Sequence, residues 1–224
     1  MMRYYPIFLD LKDRRVLVVG GGVIAEGKAR QLIDARARVS VVSLTLTEPM
    51  TRWNQRGEIE WREGVFAEND LDGVWLVISA TDDRAVNSEV ARASAERGLL
   101  CNVVDQTEFC NFITPALITR GRLQIAVSSS GGSPSVAQRV KREIGHLIGD
   151  EYSTLLEIAA EIRPEAKRLI PNFEHRRQLL HEFAESEAID LLRDGKYDEA
   201  RQLAFDLLQK AVQRLNRYEG EEKL

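Results

Sequence analysis

The feature that most constrains the fold is an apolar run that ends in three consecutive glycines. Residues 16–19 are all apolar, and Gly20, Gly21 and Gly22 follow them directly. The spacing Gly20-x-Gly22-x-x-Ala25 matches the G-x-G-x-x-G/A fingerprint of dinucleotide-binding folds, in which a buried strand turns sharply into a helix. We therefore predict a strand, a tight turn and a helix over this stretch.

Each position of the fingerprint has a physical reason. Gly20 can take the backbone angles of a sharp turn, and Gly22 leaves no side chain between the main chain and a pyrophosphate. Free N–H groups at the start of the following helix would hold the phosphates. The alternative is that the glycines only form a tight turn in an α/β domain without a ligand.

The second predicted strand, residues 38–42, departs from the fingerprint at its end. An acidic residue is expected there to bind the ribose hydroxyls, but the sequence is Ser43-Leu44-Thr45. Ribose contact would then come from the main chain or from the Ser43 and Thr45 side chains. The choice between NAD and its 2′-phosphorylated form stays open at this point.

Two further predicted strands end in polar turns. Residues 74–78 lead into a turn that contains Thr81 and Asp82, and residues 99–104 lead to Asp105. Ligands of open parallel sheets bind outside the carboxyl ends of the strands, so these side chains should share one rim with the glycines. From its position alone, Asp105 could equally be a helix cap or a solvated turn carboxylate.

The pattern changes after residue 112. Residues 113–119 and 122–128 read as two strands joined by a tight turn at Arg120-Gly121, and the second strand alternates between apolar and polar residues. Such a strand pair needs another surface to cover it, and a partner subunit is the obvious candidate.

A Ser-Gly loop follows, and helices complete the chain. Residues 128–133 read Ser-Ser-Ser-Gly-Gly-Ser, with Ser133 as the cap of a helix. The loop is either a site for an anion or a flexible connection with an ordinary cap. From residue 152 onward the pattern is helical, with Pro164 and Pro171 as expected interruptions.

Together these elements predict an α/β chain of three parts. A Rossmann-type doubly wound parallel sheet that binds a dinucleotide occupies residues 1–113. A strand-rich segment for dimerisation and substrate binding occupies residues 114–148, and a C-terminal helical domain occupies residues 149–224.

Charge and cysteine content exclude several classes of function. The chain has 31 basic and 35 acidic residues, a net charge of -4, so it offers no general attraction to nucleic acid or to an anionic membrane. No apolar run approaches the roughly 18 residues that span a bilayer. Cys101 and Cys110 form no C-x-x-C pair, and the three histidines lack metal-ligand spacing, so we expect no bound metal and a reducing cytoplasm.

Several motifs, in one register, resemble the precorrin-2 dehydrogenase and sirohydrochlorin ferrochelatase family, which also forms the N-terminal part of sirohaem synthases. The motifs are Tyr5-Pro-Ile-Phe-Leu9, Val18-Val-Gly-Gly-Gly22 with Lys28-Ala-Arg30, Ala80-Thr-Asp82 with Asn87, Cys101-Asn-Val-Val-Asp105, Phe112-Ile-Thr-Pro115 and Ala126-Val-Ser-Ser-Ser-Gly-Gly-Ser-Pro134. The match runs from about residue 5 to residue 142.

The resemblance implies NAD-dependent oxidation of precorrin-2 to sirohydrochlorin by a cytoplasmic homodimer. In some members the same site inserts ferrous iron, and for this chain that activity stays open. Asp105 matches the functional aspartate of the family, and Val23, Ile24, Leu44 and Thr45 match its cofactor contacts. As a carboxylate, Asp105 could act as a general base.

The resemblance also implies a substrate rich in carboxylates, which an acidic protein must bind with local donors. Ser129 matches the serine of the family's Ser-Gly loop. The predicted donors are Ser129, Ser130, Gly131, Arg120 and Arg139.

Two other functions compete with this one. A Rossmann domain can act as a nucleotide-sensing regulatory module without catalysis. Such modules generally keep the acidic residue after the second strand, which is missing here. A dehydrogenase of small hydroxy acids would need a histidine and an arginine near the rim, and no histidine precedes His146.

Overall fold

The structure is a computed structural model that describes residues 4–221, with side chains through residue 216. The described chain divides into two compact units, and the boundary falls after Thr114. The first unit contains the residues up to 114 together with 130–132, and the second contains 115–129 and the residues from 133 onward. The strand pair and the helices that follow it therefore belong to one compact unit.

A five-stranded parallel sheet forms the centre of the first unit. Its strands are β1 (Arg15–Val19), β2 (Arg38–Ser43), β3 (Ile59–Glu63), β4 (Leu76–Ser79) and β5 (Leu100–Val103). Their spatial order is β3-β2-β1-β4-β5. β2 and β3 therefore lie on one side of β1, β4 and β5 lie on the other, and the topological switch point is between β1 and β4. The predicted doubly wound sheet is confirmed.

Helices cover both faces of this sheet, which explains why the central strands are apolar without alternation. On one face, α1 (Val23–Asp34) and α2 (Glu48–Gln55) bury Ala25, Ala29 and Trp53 against β1 and β2. On the other face, α3 (Arg84–Glu96) packs Val90 and Ala93 against the same strands and β4. Short 3-10 helices span Glu68–Leu71 and Thr107–Phe109.

Backbone hydrogen bonds continue past the strands and align their carboxyl ends. Gly20 N donates to Val42 O, Ala80 N donates to Val19 O, and Val104 N donates to Ser79 O, at 2.8, 2.8 and 2.9 Å. The turns after β1, β4 and β5 therefore begin side by side at one edge of the sheet.

The second unit begins with an antiparallel hairpin of β6 (Ala116–Arg120) and β7 (Leu123–Val127). Alternate residues of β7 are half-buried and exposed, as predicted. The helices are α4 (Pro134–Leu147), α5 (Glu151–Leu169), α6 (Phe173–Ala184), α7 (Ala188–Arg193) and α8 (Tyr197–Glu221). Ser133 caps α4, because its hydroxyl accepts a hydrogen bond from Val136 N. Among residues 4–221, no helix is both long and apolar enough to cross a membrane.

The prediction that Pro164 interrupts the helical region was wrong. Pro164 lies inside α5, which continues through it to Leu169. A proline removes one backbone hydrogen bond from a helix. The buried residues Ile158, Ile162 and Ala166 hold both halves of α5 against the rest of the unit, so packing outweighs this loss. Pro171, in contrast, does lie between α5 and α6.

Candidate active site

Contacts within the protein leave no room for a side chain at two of the three glycines. Gly20 has a φ of +120°, and a Cβ there would lie 2.3 Å from the Ala80 carbonyl oxygen. A Cβ at Gly21 would lie 1.8 Å from the Thr45 carbonyl oxygen. At Gly22, by contrast, an added Cβ would meet nothing within 4 Å. The turn geometry explains Gly20 and Gly21, whereas the open space at Gly22 is where a bound group can approach the backbone.

The start of α1 offers main-chain donors beside this open space. Gly22 is the N-cap residue, and no side chain caps the helix. Val23 and Ile24 begin the helix, and their side chains are 78% and 52% exposed. The first N–H groups of a helix have no partner within it, and together with the helix dipole they attract an anion. These features fit the pyrophosphate of a dinucleotide.

A cleft of about 240 Å³ adjoins the glycine turn. It brings together five of the predicted cofactor residues, namely Gly20, Ser43, Leu44, Thr45 and Thr81. Asp82 is exposed and does not line this cleft, whereas its neighbour Asp83 does. The Asp83 carboxylate caps α3 by accepting hydrogen bonds from Ala85 N and Val86 N at 2.8 and 3.2 Å.

The Ser43 hydroxyl holds one wall of the cleft in place through two hydrogen bonds. It donates to the Thr45 carbonyl oxygen at 2.8 Å and accepts from the Trp61 indole N–H at 3.1 Å. Leu44, between them, is 65% exposed. Ser43 therefore fixes the loop that presents Leu44 and Thr45, and those two residues are the ones free to contact an adenosine.

Asp105 lies in the turn that follows β5 and is exposed. Its φ is +60°, in the left-handed region, which aspartate tolerates better than most residues. Because this turn starts beside the end of β4, the carboxylate belongs to the same sheet edge as the glycine turn and Thr81.

The Cys110 thiol holds this aspartate turn together, a role that the sequence did not reveal. Its sulfur accepts a hydrogen bond from Val103 N at 3.2 Å, and it lies 3.2 and 3.3 Å from the Val103 and Gln106 carbonyl oxygens, to which the S–H can donate. Burial raises the pKa of the Cys110 thiol, and the Glu108 carboxylate raises it further. The thiol is therefore protonated at neutral pH and able to act as a donor.

Lys28 is a second residue for which no role was predicted. Its ammonium donates to the Thr114 hydroxyl at 2.8 Å. Burial lowers the pKa of Lys28, and the charge of Asp105 opposes that change. Lys28 follows Ile24 by four residues, so both lie on one face of α1, and this spacing is the signal that could have revealed it.

The predicted substrate donors are divided between the two units. Ser130 and Gly131 belong to the first, and both have left-handed φ angles, +53° and +84°. Ser129, Arg120 and Arg139 belong to the second. The Ser129 hydroxyl closes the loop, since it accepts from Ser133 N and donates to Ser133 O, each at 3.0 Å.

The two predicted arginines differ in how much of their donor capacity is already used. The Arg120 guanidinium donates to the Ile148 and Gly145 carbonyl oxygens at 3.1 and 3.3 Å, so it caps the end of α4. The Arg139 side chain is 75% exposed and pairs with Glu143, one turn along the same helix. Within the described residues, no group of three or more acidic, histidine or cysteine side chains could hold a metal ion.

Three family models match consecutive parts of the chain. Residues 7–116 match a model for NAD(P)-binding, residues 120–147 match the central region of sirohaem biosynthesis proteins, and residues 151–208 match the dimerisation region of sirohaem synthases. The dimerisation model thus covers α5 to α7 and part of α8. The dimerisation role that we expected for residues 114–148 stays a prediction.

Two siroheme synthases and one solved structure agree with these matches. The chain is 38% identical over 205 residues to the siroheme synthase of Methylococcus capsulatus and 39% identical over 197 residues to that of Xylella fastidiosa. These alignments cover 92% and 88% of the chain, but only 43% and 41% of the two relatives. The structure of SirC, a precorrin-2 dehydrogenase, superposes with a TM-score of 0.77 at 29% identity, covering 91% of this chain and all of that one. The chain therefore belongs to the family formed by precorrin-2 dehydrogenases and the corresponding part of sirohaem synthases.

Proposed function

We propose that this protein oxidises precorrin-2 to sirohydrochlorin with NAD, a step in the synthesis of sirohaem. The observation that carries the proposal is the common sheet edge at which the glycine turn, Thr81 and Asp105 begin. Family membership and the SirC likeness support the same reaction. Because the chain spans less than half of the siroheme synthases, the activities of those longer proteins come to it only as proposals.

The cofactor is held by main chain and apolar side chains. The turn from Gly20 to Gly22 and the first N–H groups of α1, at Val23 and Ile24, bind the pyrophosphate. Leu44 and Thr45, supported by Ser43, contact the adenosine. NAD, when bound, supplies the acceptor for the hydride that leaves the macrocycle.

Asp105 handles the proton in this proposal. Oxidation of precorrin-2 removes a hydride from one carbon and a proton from another position, and the exposed carboxylate accepts that proton as a general base. The Lys28 ammonium lies within electrostatic reach of Asp105, on the same side of the sheet edge. Thr81 and Asp82, at the neighbouring turn, contribute to cofactor binding.

Local donors bind the peripheral carboxylates of the tetrapyrrole. Arg139 has an exposed guanidinium, and Ser129, Ser130 and Gly131 belong to a loop with two left-handed residues that supplies main-chain donors. Arg120 contributes by anchoring the end of α4, on which its donors are already engaged.

We further propose that the protein works as a cytoplasmic homodimer. Both cysteines are free thiols, which suits a reducing compartment. The match of residues 151–208 to a dimerisation region supports a dimer built from the helical unit. Light scattering coupled to gel filtration tests this proposal, which a monomer at micromolar concentration would contradict.

The reaction is tested by incubating the purified protein with precorrin-2 and NAD without oxygen, while NADH and sirohydrochlorin are followed by absorbance. We expect both products in equal amounts. NAD binding without turnover and without affinity for the tetrapyrrole would instead support a nucleotide-sensing module. A parallel reaction with ferrous iron, the substrate of a chelatase step, reports sirohaem formation separately from NADH.

A further inference from the structure

A buried pair of polar side chains lies beneath the turn that follows β4. Ser79 and Asn87 are 0% and 1% exposed, although neither takes part in the proposed chemistry. The Ser79 hydroxyl donates to the Asn87 amide oxygen at 2.6 Å, and the Asn87 amide nitrogen donates to the Thr81 carbonyl oxygen at 3.0 Å. Polar groups that are buried so completely are costly unless fully bonded, so this arrangement strongly favours one geometry of the turn.

This geometry determines where one backbone donor points. A trans peptide is planar, so its C=O and N–H groups point in opposite directions. The hydrogen bond from Asn87 holds the Thr81 carbonyl oxygen toward the buried face of α3. The N–H of Asp82 belongs to the same peptide unit, so it is directed away from that face. Among residues 4–221, the Asp82 N–H makes no backbone or side-chain hydrogen bond.

The same turn lies directly against the glycine turn. The Ala80 carbonyl oxygen is the atom that a Cβ at Gly20 would overlap, and Thr81 lines the cleft beside Gly20. A change in the peptide between Thr81 and Asp82 therefore alters the wall of the proposed cofactor cleft.

We infer that Asn87 is a positioning residue for the cofactor: it orients the peptide between Thr81 and Asp82 so that the Asp82 N–H donates to an oxygen of the bound dinucleotide. This inference rests on the proposed function, because it requires that NAD occupies the cleft. Asn87 itself does not contact the cofactor, and its effect passes through the turn.

Titration of NAD into Asn87→Ala tests the inference. Losing one hydrogen bond and the fixed peptide should raise the Kd for NAD about tenfold. In the wild-type protein, the Asp82 amide resonance should shift when NAD is added, and this shift should shrink in the variant. The matched control is Ser94→Ala, since Ser94 is also 0% exposed, lies two turns further along α3 and makes no described hydrogen bond to the turn.

A double variant separates positioning from stability. Ser79→Ala combined with Asn87→Ala removes both polar groups, so it should regain part of the melting temperature that Asn87→Ala loses. We expect the Kd for NAD to stay raised in the double variant. The inference is overturned if NAD affinity recovers together with the melting temperature, or if Ser94→Ala weakens binding equally. A wild-type protein that binds no NAD at all would instead reject the proposed function.

Discussion

The turns after β1 and β5 end two strands of one sheet, yet opposite means fix their shapes. The glycine turn depends on missing side chains, because a Cβ at Gly20 or Gly21 would overlap a carbonyl oxygen. The aspartate turn has a side chain at a left-handed position and is held by the Cys110 thiol, which lies five residues further along. Neighbouring segments, at Thr45 and Ala80, therefore exclude side chains from the first turn, whereas a residue close by in the chain holds the second.

In the proposed function, the first turn binds the cofactor through its main chain and the second turn presents one reactive side chain. A turn that lacks side chains exposes its main chain, which suits an anion. A turn whose backbone is held by another residue leaves its own side chain free to accept a proton. Substitutions in the two turns should therefore change different quantities.

The largest effect is expected for Asp105→Asn. The amide cannot accept a proton, so kcat should fall by about 10²- to 10⁴-fold. Asparagine also tolerates a left-handed φ, so the melting temperature and the Kd for NAD should stay close to wild type. Steady-state kinetics, thermal denaturation and NAD titration measure the three quantities. Asp13→Asn is the matched control, because Asp13 is likewise exposed with a φ of +60°; retained turnover in Asp105→Asn would remove the proposed base.

Gly20→Ala should have the next largest effect, this time on folding. The overlap with the Ala80 carbonyl oxygen and the φ of +120° should lower the free energy of unfolding by about 3 kcal/mol. Urea denaturation measures this loss. Gly22→Ala is the control, because its Cβ meets nothing within 4 Å. It should change stability by less than about 0.5 kcal/mol, while its added methyl group weakens NAD binding. Equal stability losses in both variants would contradict the distinction between the glycines.

Cys110→Ala should reduce kcat by about tenfold, because a small displacement of the carboxylate lowers the rate. The KM for NAD should not change, since the glycine turn does not depend on the thiol. Cys110→Ser keeps a donor and an acceptor and should recover part of the rate. Cys101→Ala is the control: this buried thiol lies in β5, the strand that leads into the aspartate turn, and should affect stability alone. A raised KM for NAD in Cys110→Ala would show that the two turns are not independent.

The smallest effect concerns Lys28 and pH. Burial lowers its pKa below 10.5, so between the folded value and 10.5 the unfolded chain binds more protons than the folded protein. Stability contributed by this group therefore rises with pH across that window, with a slope of at most about 1.4 kcal/mol per pH unit. Lys28→Met should lack this rise, which urea denaturation at several alkaline pH values can detect. Parallel pH curves for the two proteins would contradict a buried ammonium.

The same contrast explains which features the sequence could predict. The strands, the glycine turn and the Ser133 cap have sequence patterns that lie within a few consecutive residues, and the structure confirms them. The sequence placed Asn87 in a motif but did not predict its role. Its partners Ser79 and Thr81 come into contact with it only when the chain turns from β4 into α3. The predicted interruption at Pro164 was wrong because local propensity does not include the packing that keeps α5 continuous.

That proline has a consequence for the helical unit. Two apolar clusters lie on either side of it: one contains Ile158 and Ile162, and the other contains Ala166 and Ile170. Phe205 and Leu207 of α8 pack against both. Pro164 has no backbone N–H, so α5 lacks one hydrogen bond where the two clusters meet. We therefore expect each half of the helix to open separately from the other.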